Sequence, residues 1–262
     1  MFDHLSWSLL KFETNASLRS SHFGTPESRL PQHCTTVKYP VRALRYWFMY
    51  NLIDREHKRL ERPLNICEVG VDVGQMLMFM DAGAANGTRH LPEQAATWDA
   101  IDKNIRESVL SGIGYSRLVQ LDLEDPNFTL PMQYDVMILL HVLEHLHQPE
   151  QIFAKLSQYV VPNGLIIGGF PVVPDSFIST QEWWFKNRKR DWISHHSAFS
   201  PQRVRKIAEE NQLQVEMLTG AFLMRKHKFF LENQRWWMKF NLLWGALFPS
   251  AGGEVYWSLR KI

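Results

Sequence analysis

The chain has few cysteines, no long apolar run and almost no excess of charge. Its two cysteines, Cys34 and Cys67, cannot form a disulfide framework for 262 residues. No stretch reaches the roughly 18 consecutive apolar residues of a membrane-spanning helix, and residues 1–10 lack the basic start of a secretory signal. The formal net charge of +2 does not demand a nucleic-acid partner. These absences predict a cytoplasmic protein, and a hydrophobic content of 45% is enough for a sizeable core.

A turn interrupted by glycines is the first positive signal. The segment Leu64–Gly74 reads LNICEVGVDVG and runs from an apolar strand into this turn, after which Gln75–Met80 has a helical pattern. Gly70 and Gly74 let a backbone pass close to a ligand where a Cβ atom would clash. The start of the following helix offers unpaired N–H groups. The sequence therefore predicts a site for a nucleotide-type cofactor.

Polar residues stand at the ends of the next predicted strands. These strands are Ala96–Ile101 before Asp102, Arg117–Leu121 before Asp122, and Tyr134–Leu140 before His141. An acid at the end of the second strand, about 20 residues or more beyond a glycine turn, suits a pair of ribose hydroxyls. Ligands of a parallel α/β sheet bind beyond the carboxyl ends of its strands, so we expect these residues to border the ligand.

The remaining pattern alternates helices with strands. Apolar spacing predicts helices over Val41–Arg62, Pro149–Val161 and Pro201–Asn211, and strands over Gly164–Phe170, Leu213–Thr219 and Glu254–Lys261. Strands that alternate with helices indicate a doubly wound α/β sheet. We expect residues 1–60 to form a helical extension and residues 61–262 to form the main domain. Insertions at about 171–200 and 221–253 lie outside the sheet pattern.

At this point the chain resembles a known family. The pieces EVGVDVG, AIDKN, LDLED, YDVMILLHVLEHLHQPEQIF and VVPNGLIIGGFPV follow the order seen in class I S-adenosylmethionine-dependent methyltransferases. HVLEHLHQP followed by PNG and a strand is the most specific part, and the small-molecule branch with the ubiquinone and menaquinone methyltransferases looks most similar. The resemblance covers about Pro63 to Gly220. It implies a Rossmann-like sheet of about seven strands, mostly parallel with an antiparallel last strand, plus helical additions.

The resemblance also implies a cofactor and its contacts. The cofactor is S-adenosylmethionine, and the matching residues are Glu68, Gly70, Asp72, Gly74, Asp102, Asp122, Leu123 and His141. Asp102 is expected to accept hydrogen bonds from the ribose, and Asp122 with Leu123 to border the adenine. The family usually has glycine where this chain has Asp72. That side chain is expected either to crowd the methionine end of the cofactor or to meet its ammonium group.

Four histidines are candidates for a general base. They are His141, His145, His195 and His196. A histidine suits proton removal from an acceptor hydroxyl because its ordinary pKa is near neutrality. The alternative is that His141 packs beside the cofactor and His145 braces the turn, as this segment often does in related enzymes.

A metal site is a further alternative in the same segment. Some relatives, among them certain ubiquinone O-methyltransferases and RNA-end methyltransferases, hold a divalent ion here. The matching positions are His141, Glu144 and His145, with His195 or His196 as an added ligand. His141 replaces an acid of those relatives, and Glu144 is also explained as a charge at a helix start. The expectation from the sequence is therefore that no metal is bound.

Two stretches combine tryptophan with basic residues. Glu182–Trp192 reads EWWFKNRKRDW, and Arg235–Phe248 reads RWWMKFNLLWGALF with bulky residues at helical spacing. Both fall in the insertions, which we expect to form a lid over an apolar acceptor. A helix on a membrane surface, base stacking and ordinary core packing are the alternatives.

These observations predict transfer of a methyl group to a small molecule. The expected acceptor is a hydroxyl on an apolar, aromatic or glycan-type compound. The alternatives are an RNA methyltransferase and a non-catalytic binding protein that keeps the fold. Peripheral contact with a membrane is compatible with the aromatic stretches, and the oligomeric state is not defined by the sequence.

Overall fold

The computed structural model describes residues 44–80, 91–187, 195–221, 223, 229–231 and 234–262. Parts of the predicted helical extension and of both insertions, together with Val41, Cys34, Arg188–Arg190 and Trp192, therefore lie outside the described residues. Seven α-helices are present in the described part: α1 (Leu44–Leu60), α2 (Gln75–Met80), α3 (Glu107–Leu110), α4 (Pro149–Ser157), α5 (Ile178–Asn187), α6 (Pro201–Glu210) and α7 (Arg235–Leu247). None of the helices described here is long and apolar enough to cross a membrane.

Seven strands form one sheet in the order β3-β2-β1-β4-β5-β7-β6. They are β1 (Leu64–Val69), β2 (Ala95–Asp102), β3 (Arg117–Gln120), β4 (Tyr134–Leu140), β5 (Val160–Pro171), β6 (Leu213–Ala221) and β7 (Glu254–Lys261). Parallel pairing joins β1 to β2, β2 to β3 and β4 to β5. Strand β7 is antiparallel to both β5 and β6. The predicted Rossmann-like sheet with an antiparallel last strand is therefore confirmed.

The predicted boundary between α4 and β5 is wrong. The apolar pattern predicted a helix over Pro149–Val161 and a strand over Gly164–Phe170, but α4 ends at Ser157 and β5 already begins at Val160. Val160 pairs with Tyr134 at the start of β4. Valine is β-branched and packs well in a sheet, so pairing with β4 outweighs the continuation of the helical pattern.

The chain divides into two compact units. Among the described residues, the N-terminal unit contains 44–80, 91–121, 229–231 and 234–240, and the C-terminal unit contains 122–187, 195–221, 223 and 241–262. In the N-terminal unit, the ring of Phe79 on α2 contacts three aromatic rings of α1, those of Tyr46, Trp47 and Tyr50. The buried face of α1 thus packs on the helix that follows the glycine turn.

In the C-terminal unit, α6 begins as the sequence predicted. The hydroxyl of Ser200 accepts a hydrogen bond from the backbone N–H of Arg203 at 3.1 Å, and Pro201 occupies the first turn. An N-cap serine followed by proline is a favourable helix start. This cap fixes the point at which the chain leaves the segment containing His195 and His196.

Candidate functional site

The turn after β1 has an unusual backbone. Gly70, Asp72 and Gly74 all have positive φ, at 73°, 49° and 75°. Glycine adopts this region without a penalty, and aspartate tolerates it better than most residues. A Cβ atom on Gly74 would lie 2.5 Å from Cδ1 of Ile113, so a larger residue would push the turn away from its support. The predicted glycine turn is present, and α2 follows it directly.

Glu68, at the end of β1, is held by two donors from other parts of the chain. The indole N–H of Trp98 and the hydroxyl of Tyr115 both donate to its Oε2 atom, at 3.0 and 2.9 Å. The side chain is buried. Burial raises the pKa of Glu68 to about 7 although these hydrogen bonds act to lower it, and the nearby charge of Asp102 adds to the increase.

Asp102 holds the glycine turn through its carboxylate. Its Oδ2 accepts from the backbone N–H of Asp72 at 3.1 Å, and its Oδ1 accepts from the N–H of Asn104 at 2.9 Å. The Asp72 side chain is paired with Arg106 at 2.5 Å, and both are partly exposed. Asp72 was predicted either to crowd the methionine end of the cofactor or to meet its ammonium group, and its carboxylate already has a cationic partner within the protein.

The predicted adenine neighbours lie in the C-terminal unit. Leu123 is buried, and the Asp122 carboxylate accepts from the N–H of Glu124 at 3.0 Å. The backbone carbonyl of Asp122 also accepts from the N–H of Asp125 at 3.1 Å. The turn after β3 is thus ordered by its own hydrogen bonds.

His141 lies between two buried carboxylates of the same unit. Its Nδ1 is 3.0 Å from Oε1 of Glu144, and its Nε2 is 3.4 Å from Oε1 of Glu254. The residue has a φ of 58°, and its backbone N–H donates to the carbonyl of Gly169 at 2.8 Å. A positive φ is uncommon for a residue other than glycine, and residues with this conformation are frequent at functional sites.

The other histidines are brought together by backbone hydrogen bonds. The carbonyl of Glu144 accepts from the N–H groups of His196 and Ser197 at 2.8 and 3.1 Å. As a result the His145 and His195 rings are 4.9 Å apart. A second pair, His147 and His196, is stacked at 3.9 Å. All four predicted base candidates thus belong to one region of the C-terminal unit.

The pKa values of this region are shifted by burial and by neighbouring charges. Burial lowers the pKa of His195, although Glu144 acts in the opposite direction. Burial also lowers the pKa of His196, and the neighbouring His147 adds to this effect. For Glu144, burial acts to raise the pKa, but His141 and His145 together outweigh it and lower the pKa. The region therefore favours the ionised form of Glu144 and the neutral forms of His195 and His196.

Three of these residues have the arrangement of metal ligands. Within the described part of the chain, one ligand atom each from Glu144, His145 and His195 lies within 4.8 Å of the other two. Glu144 is 2% exposed, and neither of its carboxylate oxygens has a hydrogen bond of acceptable geometry. The donor types and the unsatisfied buried carboxylate fit a divalent cation.

The aromatic stretches differ in burial. Helix α5 has no buried residue, and Trp183 and Trp184 are 64% and 42% exposed. Helix α7 has a buried side with Trp237 and Leu242. It also has exposed large side chains, which are Trp236, Phe240, Leu243 and Leu247. The predicted helix over Arg235–Phe248 is thus present, and core packing explains only one side of it.

Several site residues were missed from the sequence. Trp98 and Tyr115 hold Glu68, Arg106 pairs with Asp72, and Glu254 lies beside His141. Trp98 looked like an ordinary apolar strand residue. Glu254 gave a usable signal, because an acid at the start of an apolar strand needs a partner once it is buried.

Comparison with known proteins identifies the family. The methyltransferase domain family matches residues 42–218. Magnesium protoporphyrin IX methyltransferase (ChlM) from Synechocystis PCC 6803 is structurally similar. Its form with bound SAH has a TM-score of 0.53 at 13% identity, with 96% of each chain covered. Its form with bound SAM has a TM-score of 0.51 at 13% identity, with 99% of this chain and 98% of that chain covered.

A further structure is similar over less of the chain. N-methyltransferase NodS from Bradyrhizobium japonicum WM9, in complex with S-adenosyl-L-homocysteine, has a TM-score of 0.48 at 11% identity, with 81% of this chain and 85% of that chain covered. No curated protein matches the sequence significantly. The match of the family over most of the chain, together with the fold, decides the class. The chain belongs to the methyltransferase domain family, and the predicted class of S-adenosylmethionine-dependent methyltransferase is confirmed.

Proposed function

We propose that this chain transfers the methyl group of S-adenosylmethionine to a small-molecule acceptor, with a hydroxyl on an apolar, aromatic or glycan-type compound as the preferred acceptor group. The observation that carries the proposal is the turn from Gly70 to Gly74, which has three residues of positive φ and is fixed by Asp102. A turn of this kind presents backbone to a nucleotide at the start of a helix. The ubiquinone and menaquinone branch stays a prediction.

The cofactor contacts are assigned to each unit in turn. In the N-terminal unit, Asp102 has lone pairs left for ribose hydroxyls beyond the two N–H groups that it accepts. Gly70 and Gly74 allow the close approach, while Glu68 supports the turn from behind through Trp98 and Tyr115. In the C-terminal unit, Asp122, Leu123 and His141 keep their predicted roles.

For methyl transfer, the protein mainly has to align the acceptor with the methyl group of the cofactor. The methyl group of a sulfonium is already activated, so holding acceptor and methyl carbon in line supplies most of the acceleration. A hydroxyl acceptor also needs a base, and one of His141, His145, His195 and His196 remains the predicted group. A divalent cation at Glu144, His145 and His195 would supply Lewis acidity toward an oxygen-bearing acceptor.

The first prediction concerns cofactor affinity. Asp102→Ala should weaken S-adenosylmethionine binding by about 1.5–3 kcal/mol, because a charge-assisted hydrogen bond to the ribose is lost. Isothermal titration calorimetry on the wild type and the variant measures this directly. Asp102→Asn keeps one acceptor oxygen for the turn, and we expect it to fall between the two.

Glu107→Gln is the matched control. Glu107 is an exposed acid five positions further along, at the start of α3, so its loss should leave cofactor affinity unchanged. Absence of binding by the wild type at high-micromolar cofactor would refute the assignment of the site. Transfer of labelled methyl from the cofactor into small molecules of a cell extract then separates an enzyme from a non-catalytic binding protein.

A further inference from the structure

In the described part of the C-terminal unit, the carboxylate of Glu144 is buried with no hydrogen bond of acceptable geometry to either oxygen. It is 2% exposed, and Nδ1 of His141 is 3.0 Å from Oε1. A buried carboxylate without adequate hydrogen bonds costs several kcal/mol in the folded state. A bound cation would offset this cost.

Two imidazoles lie close to that carboxylate. One ligand atom each from Glu144, His145 and His195 lies within 4.8 Å of the other two. Ligand atoms around one ion at about 2.0–2.2 Å are roughly 3–3.6 Å apart, so small side-chain rotations bring all three to one cation. The residues are not a surface cluster of acids, since Glu144 is buried and the histidines are partly so.

The backbone keeps the donors together. The carbonyl of Glu144 binds the N–H groups of His196 and Ser197, and the hydroxyl of Ser197 donates to the carbonyl of Leu146 at 2.9 Å. These bonds tie the residue after His195 to the short helical turn Leu143–His145. The site is therefore built on two segments that are already fixed to each other.

We propose that Glu144, His145 and His195 bind a divalent transition metal such as Zn²⁺ in preference to Mg²⁺. Two imidazole nitrogens and one carboxylate oxygen are a donor set for borderline metals, whereas Mg²⁺ and Ca²⁺ require mostly oxygen ligands. This proposal deepens the proposed function, and it replaces the expectation from the sequence that no metal is bound. Three protein ligands leave at least one coordination position open, as in catalytic rather than structural sites.

His141 is assigned as a positioning residue for the metal ligand. It lies between Glu144 and Glu254, at 3.0 and 3.4 Å, and so orients the carboxylate toward the two imidazoles. Partners of this kind are worth about 10- to 100-fold in metal affinity. His141 adds no oxygen ligand, so the site has two imidazole nitrogens and one carboxylate oxygen, and this is the physical reason for the preference against Mg²⁺.

The experiment is a metal titration of the full chain after dialysis against a chelator. Zn²⁺, Co²⁺ and Mg²⁺ are titrated separately by calorimetry, and Co²⁺ is also followed by visible absorption. We expect one equivalent of Zn²⁺ or Co²⁺ to bind, with Mg²⁺ at least about 10-fold weaker. Glu144→Gln and His195→Ala should each reduce the affinity by about 100-fold or more, since even outer partners contribute 10- to 100-fold.

His147→Ala is the matched control, because His147 lies two residues beyond His145 but pairs with Glu124 instead. Its Zn²⁺ affinity should equal that of the wild type. Loss of Zn²⁺ binding in His147→Ala, unchanged binding in His195→Ala, or stronger binding of Mg²⁺ overturns the proposal. Glu144→Gln keeps the side-chain shape, and if it unfolds, His195→Ala decides the outcome alone.

The same samples separate this inference from the proposed function. S-adenosylmethionine is titrated into the wild type with and without Zn²⁺. Cofactor binding without any metal binding refutes the metal site and leaves methyl transfer standing. Metal binding at the stated residues without cofactor binding supports the metal site and refutes methyl transfer from S-adenosylmethionine.

Discussion

At the scale of single residues, Glu68 has the clearest perturbed protonation. Burial raises its pKa to about 7 from an ordinary value of 4.5. The folded state therefore holds the proton more tightly than the unfolded chain does. The stabilising contribution of this group is complete below about pH 4.5 and is lost as the pH rises through about 7.

Glu68→Gln should remove that pH dependence. The amide is neutral, and its oxygen can still accept from Trp98 and Tyr115. Relative to the wild type, the variant should therefore gain roughly 2–3 kcal/mol of unfolding free energy between about pH 5 and about pH 8.5. Chemical denaturation across this range measures the difference. Glu107→Gln, which alters an exposed acid, should show no such gain. If the unfolding free energies of Glu68→Gln and of the wild type instead depend on pH in the same way, Glu68 ionises with an ordinary pKa.

The partners of Glu68 show what the sequence could not provide. Trp98 and Tyr115 are 30 and 47 positions away along the chain, and no local pattern links them to an acid. By contrast, Gly70, Gly74 and Asp102 were predicted because their spacing is a property of the turn itself. Residues that act through a local backbone conformation are readable from sequence, whereas distant hydrogen-bond partners require the fold.

At the scale of elements, the strands were predicted more reliably than the ends of helices. Short apolar runs bounded by polar residues identified β1, β2 and β4, since burial on both faces leaves little ambiguity. The end of α4 was missed because Val160 fits both the helical spacing and a strand. Pairing between Val160 and Tyr134 is a tertiary contact, so local pattern alone could not decide it.

The two tryptophan-rich helices should respond differently to truncation. Trp237 on α7 is 9% exposed and contacts the rings of Phe229 and Phe240, whereas Trp184 on α5 is 42% exposed. Trp237→Ala should lower the unfolding free energy by about 3–5 kcal/mol. Trp184→Ala should cost less than about 1 kcal/mol but raise the KM of the acceptor, if α5 forms part of the proposed lid.

Thermal unfolding and steady-state kinetics on the two variants test this contrast. Cofactor affinity should stay unchanged in Trp184→Ala, because only the acceptor is expected to meet this helix. Strong destabilisation by Trp184→Ala would show that α5 packs as part of the core and would contradict the proposed lid. Loss of binding to anionic vesicles with an unchanged KM would instead identify α5 as a membrane-surface helix.

At the scale of the whole molecule, the mostly parallel sheet with its antiparallel last strand and the family were accessible from sequence, but the acceptor was not. The order of strand-end motifs is shared by all members of the fold, so it predicts the sheet and the cofactor. The insertions differ between substrates and carry no shared pattern. The exposed aromatic side chains of α5 and α7 are therefore the features that favour an apolar acceptor.

The last prediction addresses the RNA alternative. The formal net charge is only +2, and several described arginines already have acidic partners, as Arg106, Arg117 and Arg203 do. We expect binding to a single-stranded RNA oligonucleotide to be no tighter than roughly 100 µM at about 150 mM salt. Fluorescence anisotropy at several salt concentrations measures this.

Micromolar binding that weakens steeply with salt would contradict the small-molecule proposal. The basic residues of the stretch Glu182–Trp192 would then be the responsible group, namely Lys186, Arg188, Lys189 and Arg190. A variant with all four changed to alanine should lose that binding and show a shallower salt dependence, because each phosphate contact releases counterions. If the variant and the wild type instead bind RNA equally weakly, the positive charge of this stretch does not bind a polyanion, and the exposed Trp183 and Trp184 remain available for an apolar acceptor.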